Sequence, residues 1–562
     1  MVSCLDRTIE HLRGTNTTVD SPFDFAFKGK PLETSSLETL TLASTWLDIC
    51  IQSHHACGRQ TPQPLPTRLI DVGSLESGKS PFLLQSTGGQ LGNWFALSYC
   101  WGKALPFKTE IENLKQHMQE IPLDQLPAVF RDAVHITRRL ECRYLWIDAL
   151  CIIQDSPDDW KTEAAQMHSI YSNATLTIVA EAAIDPTYGI FASGDSRRHN
   201  FDRAVALSCI TSDKGRSMKA RPALPSSMGS KSPVSQRGWT LQEDLLSPRV
   251  LRFSAEQVFW ACQKFRCCEA APTTDDWEQD LYFRRFGTKN SFFDMNVGDT
   301  EEDIYFRFWN VVVVNSFTRR SLFKQTDTMF AVAGLAREIQ RHTDSAYIAG
   351  LWSKNLPEGL LWQACRSGKR PSGKESYIAP SWSWASMTFN VPDGDSRPQT
   401  YQFLKHMEET AYDSEIIAVV IMPSVTEDLY GQIEFGFLVI AGNWRCVDDF
   451  KELPTPFYED WNNTRSMWDK ESKQSDLLLP KQIVCNLDEG TTCIIGDELN
   501  IFGQGNLYLQ ILPNVLGVIY ALILAPAEPI EGNEVYRRIG IAQIPKDDGM
   551  ADGWESAVFT IV

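Results

Sequence analysis

Apolar runs and helical stripes alternate along the first half of the chain. Three short apolar runs, typical of strands buried on both faces, predict strands at Phe95–Tyr99, Tyr144–Ile147 and Leu176–Val179. Between the runs, residues 128–140 and 157–171 repeat apolar side chains with helical spacing. Strands separated by helices of this length favour parallel βαβ units. We therefore predict an α/β core with a mostly parallel sheet over residues 67–265.

The regions around this core differ in pattern. Residues 1–66 form a peripheral N-terminal segment, and within the core residues 194–236 are rich in Ser and Pro, so we expect a mobile surface loop there. Periodic apolar residues predict a helical extension over 266–390, which ends in a compact aromatic strand at Pro380–Ser386. Residues 391–562 combine short apolar runs with turn signals, and we expect a β-rich region.

Composition and charge bear on the cellular location of the protein and on its binding partners. The net charge of −18 argues against a general nucleic-acid binder, because phosphate contacts need clustered Lys and Arg. The N-terminal residues show no apolar core of a secretory signal. The apolar stretch 507–525 is broken by polar residues and Pro513, which predicts two strands and a turn instead of a membrane span. We expect a cytoplasmic protein with reduced cysteines and neither a nucleic acid nor a membrane as partner.

One cysteine–histidine pattern contains residue types that bind metal ions. Cys50, His54 and Cys57 lie close together in the sequence, but zinc requires a fourth ligand at a suitable spacing. No fourth ligand is obvious in the sequence. The pattern therefore favours a helix end with buried thiols, and we expect no metal.

Four stretches together resemble the fungal heterokaryon-incompatibility (HET) family. They occur in the family's order: LSYCWG (97–102), LWIDALCIIQD (145–155), the DW–E–M–IY–A–LTIVA pattern over 159–180, and RGWTLQE (237–243). Members of this family trigger programmed cell death after non-self recognition, a form of fungal innate immunity. The resemblance implies such a role here, through a protein partner or self-assembly.

HET domains are in turn similar to Toll/interleukin-1 receptor (TIR) domains, which have a flavodoxin-like sheet and in some cases cleave NAD. Residues 95–99 resemble the first TIR strand, and residues 159–163 resemble the helix that carries the catalytic glutamate of TIR enzymes. The resemblance implies that Glu163 is catalytic. Two residues separate Trp160 from Glu163, where TIR enzymes usually have three.

Glu163 has two interpretations. With Trp160 at 0°, it falls at about −60° on a helical projection, inside the apolar stripe. A carboxylate in a core-facing position needs a partner such as an arginine, or else it serves an active site at the C-terminal edge of the sheet.

Cleavage of NAD requires few groups. Nicotinamide leaves as a neutral group, so what helps is a carboxylate that orients the ribose and stabilises an oxocarbenium-like transition state. Ser98, an aromatic surface from Trp101 or Trp160, and Asp148 as a ribose ligand or helix cap would complete such a site. NAD would be a substrate, and no resident cofactor is expected.

Other interpretations stay open. Cys151 is a candidate nucleophile with His135 or His168 as base, although its apolar surroundings raise a thiol pKa. Arg237 and Glu243 fit a structural motif, with a phosphate contact from Arg237 as the alternative. Two function classes follow: a TIR-like NAD hydrolase, or a non-enzymatic signalling module that works by assembly.

Overall fold

The structure is a computed structural model that falls into two compact units, Met1–Asp294 and Met295–Val562. It describes residues 33–58, 61–76, 78–102, 107–191, 205–208, 217–220, 232–255, 257–269, 304–364, 368–371, 376–389, 401–402, 414–425, 428–446, 484–487, 492–494, 507–515, 518–530, 532–545 and 553–562.

Within its described residues, the first unit is built on an eight-stranded sheet. The strands of this sheet and of two separate two-stranded pairs (β1–β4 and β8–β9) are β1 Gln63–Pro64, β2 Arg68–Asp71, β3 Phe82–Gln85, β4 Leu91–Gly92, β5 Trp94–Ser98, β6 Tyr144–Trp146, β7 Leu176–Val179, β8 Val205–Ser208, β9 Ser217–Ala220, β10 Arg249–Phe253, β11 Val258–Cys262 and β12 Arg266–Cys268. The large sheet has the order β12-β11-β10-β7-β5-β6-β2-β3.

The centre of this sheet is parallel. Strands β10, β7, β5 and β6 pair in parallel, and antiparallel strands flank them on both sides. The three strands predicted from the apolar runs are β5, β6 and β7, so their parallel pairing is confirmed. All residues of β5 and β7 are buried, as continuous apolar runs require.

Helices cover the sheet where the apolar stripes predict them. The first unit contains α1 Leu37–Ser53, α2 Leu114–Gln119, α3 Ala128–Arg139, α4 Asp148–Cys151, α5 Pro157–Asn173 and α6 Thr240–Leu246, with short 3-10 turns at His55–Cys57 and Val234–Gln236. The helices predicted at 128–140 and 157–171 are thus confirmed as α3 and α5. The Ser156 hydroxyl caps α5 by accepting a hydrogen bond from the Asp159 amide, and Pro157 is the first helical residue.

Helix α5 packs on the parallel strands through aromatic residues. The Trp94 indole N–H donates a 3.1 Å hydrogen bond to the carbonyl of Ile170, and the rings of Trp146 and Tyr171 meet edge to face at 5.6 Å. The Tyr171 hydroxyl donates a 3.0 Å bond to the carbonyl of Leu97. These contacts fix one face of α5 against β5 and β6.

Helix α1 lies within the first unit. Its buried face includes Leu40, Trp46 and Cys50, and the Trp46 ring lies 6.5 Å from the ring of Trp260 on β11. The expected mobile loop at 194–236 lies largely outside the described residues. Within it, the structure describes the antiparallel pair β8–β9 and the short turn at Val234–Gln236.

The second unit joins a helical part to a β-rich part. Its helices are a π-type helix at Ile304–Val314, α7 Asn315–Phe317, α8 Thr328–Arg341 and α9 Leu356–Gly359, with 3-10 turns at Gln325–Asp327, Ser353–Asn355 and Trp384–Ser386. Its short strands form two-stranded pairs: β13 Tyr347–Ile348, β14 Leu351–Trp352, β15 Gln363–Ala364, β16 Gly368–Lys369, β17 Thr388–Phe389 and β18 Tyr401–Gln402.

A mostly antiparallel sheet forms the end of the second unit, which confirms the β-rich expectation. Its strands are β19 Ser414–Pro423, β20 Ile433–Cys446, β21 Val484–Leu487, β22 Thr492–Ile494, β23 Leu507–Val515, β24 Val518–Pro526, β25 Tyr536–Pro545 and β26 Glu555–Ile561. The predicted pair of strands within 507–525 is the antiparallel hairpin β23–β24. Among the described residues, no helix is long and apolar enough to cross a membrane.

The aromatic segment Pro380–Ser386 corrects one expectation. It is not a strand but a turn followed by a 3-10 helix at Trp384–Ser386. Alternating tryptophans imitate strand periodicity, yet Trp382 and Trp384 are both fully buried. The Ser383 hydroxyl accepts a hydrogen bond from the amide of Ala385, and this local bond favours the turn over a sheet ladder.

Candidate functional site

Residues that follow the parallel strands meet at one edge of the sheet. Because β5, β6 and β7 run in parallel, their carboxyl ends lie at the same edge. Trp101 comes three residues after β5, and Asp148 follows β6 as the first residue of α4. Arg237 enters from the segment before α6. We refer to Trp101, Asp148 and Arg237 as the edge cluster.

Asp148 is bound through both carboxylate oxygens. The Trp101 indole N–H donates a 2.6 Å hydrogen bond to Oδ2, and the amide of Ala149 donates a 2.7 Å bond to Oδ1. Burial raises the pKa of Asp148, while Arg237, Tyr99 and Trp101 lower it, and the net shift is upward. Two of the residues predicted to bind NAD, Trp101 and Asp148, are therefore in direct contact.

Arg237 provides a positive charge beside this carboxylate. One of its guanidinium N–H groups donates to the carbonyl of Tyr99, and its Cζ lies 5.9 Å from the centroid of the Trp101 ring. Burial lowers the pKa of Arg237, but the fields of Glu243 and Asp148 raise it and give a net upward shift. The cluster thus holds a permanent cation against an aromatic ring.

Ser98 and Trp160 occupy neighbouring elements. Ser98 is the last residue of β5 and is buried, and its carbonyl accepts a 2.9 Å hydrogen bond from the amide of Ala180 after β7. Trp160 lies in the first turns of α5, half-buried, with its ring edge-to-face against Trp239 at 6.2 Å. Trp239 belongs to the same RGWTLQE stretch as Arg237.

Glu163 lies in a different environment. It is fully buried, as its place in the apolar stripe predicts, and its Oε1 lies 3.6 Å from Arg68 Nη2. The same Nη2 donates to both carboxylate oxygens of Asp159 at 2.6 Å, and Arg68 Nε donates a 2.7 Å bond to the carbonyl of Cys151. Burial raises the pKa of Glu163, although Thr67 and Arg68 lower it. Among the described contacts, none joins Glu163 to Ser98, Trp101 or Asp148.

Cys151 has the properties of an inert core thiol. It is fully buried in α4, and burial raises its pKa to about 12. A thiol becomes a nucleophile through its thiolate, so this environment disfavours the Cys–His alternative. The His135 ring packs edge-to-face against Phe191 at 6.1 Å.

The comparison with known protein families bears on this edge. A family model described as "Heterokaryon incompatibility protein (HET)" matches residues 94–243. We refer to these matched residues as the HET domain. No curated protein and no solved structure matches the chain.

The HET domain contains the whole edge cluster. It begins at the first residue of β5 and ends at Glu243, whose field acts on Arg237. Glu163 also lies inside the HET domain, whereas its partner Arg68 lies before it. The edge cluster thus lies at the C-terminal edge of the parallel strands, within the HET domain. Glu163 is instead paired with Arg68, which precedes this domain in the chain.

Sequence reasoning missed two residue roles. Arg68 is the arginine partner that a core-facing Glu163 requires, and the only hint was its position at the start of an apolar run that precedes the HET domain. Cys262, at the end of β11, joins Cys50, His54 and Cys57. A single cysteine in an apolar strand does not indicate a metal site. Cys262 meets the other three residues only because β11 lies against the end of α1 in the folded chain.

Proposed function

We propose that this protein is a cytoplasmic effector of heterokaryon incompatibility, and that its HET domain triggers cell death after non-self recognition by cleaving NAD. The observation that carries the proposal is the gathering of the HET motif residues into the edge cluster. Residues from three separate motifs touch one another there, at the edge of a parallel sheet where ligands of such sheets bind.

The strand order supports a dinucleotide as the ligand. Numbered along the chain, the four parallel strands β5, β6, β7 and β10 stand in the order 2-1-3-4, as in flavodoxin-like sheets. Ligands of those sheets bind where the strand order reverses, which here is between β5 and β7. Trp101 extends from the end of β5, beside this point. The same order supports the TIR-like interpretation of the HET core.

The chemistry of the edge cluster suits NAD. Arg237 supplies a cation for the pyrophosphate, and the ring of Trp101 offers a surface for stacking a base. Asp148 is the carboxylate at this edge that could orient the ribose hydroxyls. Departure of neutral nicotinamide needs no general acid, so stabilisation of an oxocarbenium-like transition state by a carboxylate is the main requirement.

Glu163 stays the carboxylate to which the TIR resemblance assigns catalysis. For this role its side chain would have to leave the Arg68 pair and turn toward the edge cluster. Its complete burial beside Arg68 favours the second candidate function, a non-enzymatic signalling module that acts by assembly. In that case Glu163 only stabilises the HET domain.

Expression in a fungal host separates the two candidates. Viability and total cellular NAD would be followed after induction of the wild-type protein, an Arg237→Gln variant, and Arg131→Gln as a control on an exposed arginine of α3. We expect the wild type and the control to deplete NAD and kill, and Arg237→Gln at an equal protein level to do neither. Killing by the wild type with an unchanged NAD pool would leave the assembly function.

A further inference from the structure

Four metal-ligating side chains meet outside the HET domain. Cys50 lies in the last turn of α1, His54 caps that helix, Cys57 ends the following 3-10 turn, and Cys262 ends β11. One ligand atom from each residue lies within 4.8 Å of the others. The thiol sulfur of Cys262 is 3.4 Å from Nδ1 of His54. Cys262 thus completes a set of four candidate ligand residues, and its place in the set is not visible from the sequence alone.

We propose that Cys50, His54, Cys57 and Cys262 bind one structural zinc ion. Three cysteines and one histidine form a common tetrahedral ligand set for structural Zn²⁺. With Zn–S bonds of about 2.3 Å, tetrahedral ligand atoms lie about 3.8 Å apart. The observed spacing therefore needs only small side-chain movements to reach the bound geometry.

Hydrogen bonds to sulfur fit thiolate ligands. Arg249 Nε donates a 3.2 Å bond to the sulfur of Cys50, and the amide of Phe265 donates a 3.2 Å bond to the sulfur of Cys262. Zinc ligands commonly receive such outer hydrogen bonds, which orient them and stabilise their charge. Both donors come from the sheet or its hairpin, so the cluster is held by residues that do not themselves bind the metal.

The turn between the ligands is also fixed from the sheet. Arg249 Nη2 donates hydrogen bonds to the carbonyls of Cys57 and Gly58, at 3.0 and 2.6 Å. Gly58 has a φ of +72°, a left-handed conformation that favours glycine and lets the chain turn directly after Cys57. These contacts place the third ligand before any metal binds.

Burial and ligand number indicate a structural site. The exposed fractions of Cys50, Cys57 and Cys262 are 0%, 4% and 0%. Four protein ligands would fill the tetrahedron and leave no open position for a substrate. Zinc would therefore tie the C-terminal end of α1 to β11, two elements that otherwise meet through apolar contacts such as Trp46 with Trp260.

Metal analysis of the full chain tests this site. The protein would be purified under reducing conditions without chelator, as wild type, Cys262→Ser, and Cys142→Ser. Cys142 is a matched control, because it is a buried thiol of the same unit outside the cluster. We expect about one zinc per chain in the wild type and in the control, and a loss of zinc in Cys262→Ser.

A second measurement, on the wild-type protein alone, tests the site even when Cys262→Ser does not fold. After chelation, the wild-type protein would be titrated with Co²⁺, and tetrahedral cobalt with thiolate ligands shows strong visible bands and sulfur-to-cobalt charge transfer. We expect these bands, together with a lower melting temperature after zinc removal that added zinc restores. Metal-free protein without cobalt–thiolate bands, or a disulfide among Cys50, Cys57 and Cys262 in the reduced preparation, would overturn the proposal.

Discussion

Arg68 holds Glu163 inside the core, with Nη2 3.6 Å from Glu163 Oε1 while the same atom binds Asp159 at 2.6 Å. One cation from β2 thus serves two carboxylates of α5. The ion pair reduces the cost of burying a carboxylate in the apolar stripe of a helix, although burial still gives the pKa of Glu163 a net upward shift. It also separates Glu163 from the edge cluster in the arrangement observed.

Removal of Arg68 should destabilise the first unit strongly. An Arg68→Met variant keeps most of the aliphatic volume but leaves Asp159 and Glu163 without their cation. Breaking a buried pair in this way costs about 3–5 kcal/mol. Urea unfolding of the variant and of Arg131→Gln, an exposed arginine, would measure the difference. Equal stability of the two variants would show that the pair contributes little.

The free energy of unfolding should depend on pH through the ionisation of Glu163. Its pKa in the folded protein lies above the ordinary value of 4.5, so the native state holds this proton more tightly than the unfolded chain. The wild type should therefore lose stability relative to Glu163→Gln as pH rises from 4.5 through the raised pKa, and the difference should then level off.

Equilibrium unfolding of both proteins at a series of pH values checks this dependence. Glu112→Gln, at an exposed carboxylate, provides the control and should show no such trend. A difference between wild type and Glu163→Gln that grows in favour of the wild type above pH 4.5 would contradict the upward pKa shift.

The Trp101–Asp148 hydrogen bond should appear as an energetic coupling. Trp101→Phe removes the indole donor, and Asp148→Ala removes the acceptor. Because a hydrogen bond to a charged group is worth about 1.5–3 kcal/mol, a double-mutant cycle should give a coupling in that range. Unfolding free energies of the two single variants and the double variant supply the cycle. Strictly additive effects would mean that the bond does not form in solution.

Gly102 should be intolerant of a side chain. It follows Trp101 with a φ of +70°, and an added Cβ would lie 2.5 Å from the Cβ of Asp185. Gly89 has a similar φ of +84° but open space around its Cα. We expect Gly89→Ala to lose about 1–2 kcal/mol from backbone strain alone, and Gly102→Ala to lose clearly more because of the clash. Thermal or urea unfolding of the two variants compares them, and equal losses would contradict the close approach.

Local sequence patterns predicted the central strands and helices of the first unit. They did not predict side-chain contacts between residues far apart in the sequence. Continuous apolar runs located β5, β6 and β7, and helical stripes located α3 and α5, because both signals depend only on neighbouring residues. The convergence of Arg237 with Trp101 and Asp148 follows from topology, which spacing alone does not give.

The same limit explains the partners that were missed. Arg68 and Cys262 reach Glu163 and Cys50 only after β2 and β11 have taken their places in the sheet. The prediction of a strand at Pro380–Ser386 was wrong for another reason. Alternating buried tryptophans fit a strand pattern as well as a turn. The hydrogen bond that the Ser383 hydroxyl accepts from the Ala385 amide favours the turn.

Nicotinamide release from NAD by the purified full chain tests the central claim most directly. The wild type, Glu163→Gln and the exposed control Glu112→Gln would be incubated with NAD, with melting temperatures taken on the same preparations. We predict turnover by the wild type and the control, and none by Glu163→Gln, which should stay folded with a melting temperature at or above that of the wild type. A well-folded wild-type protein that releases no nicotinamide, or a Glu163→Gln protein with undiminished turnover, would contradict the account.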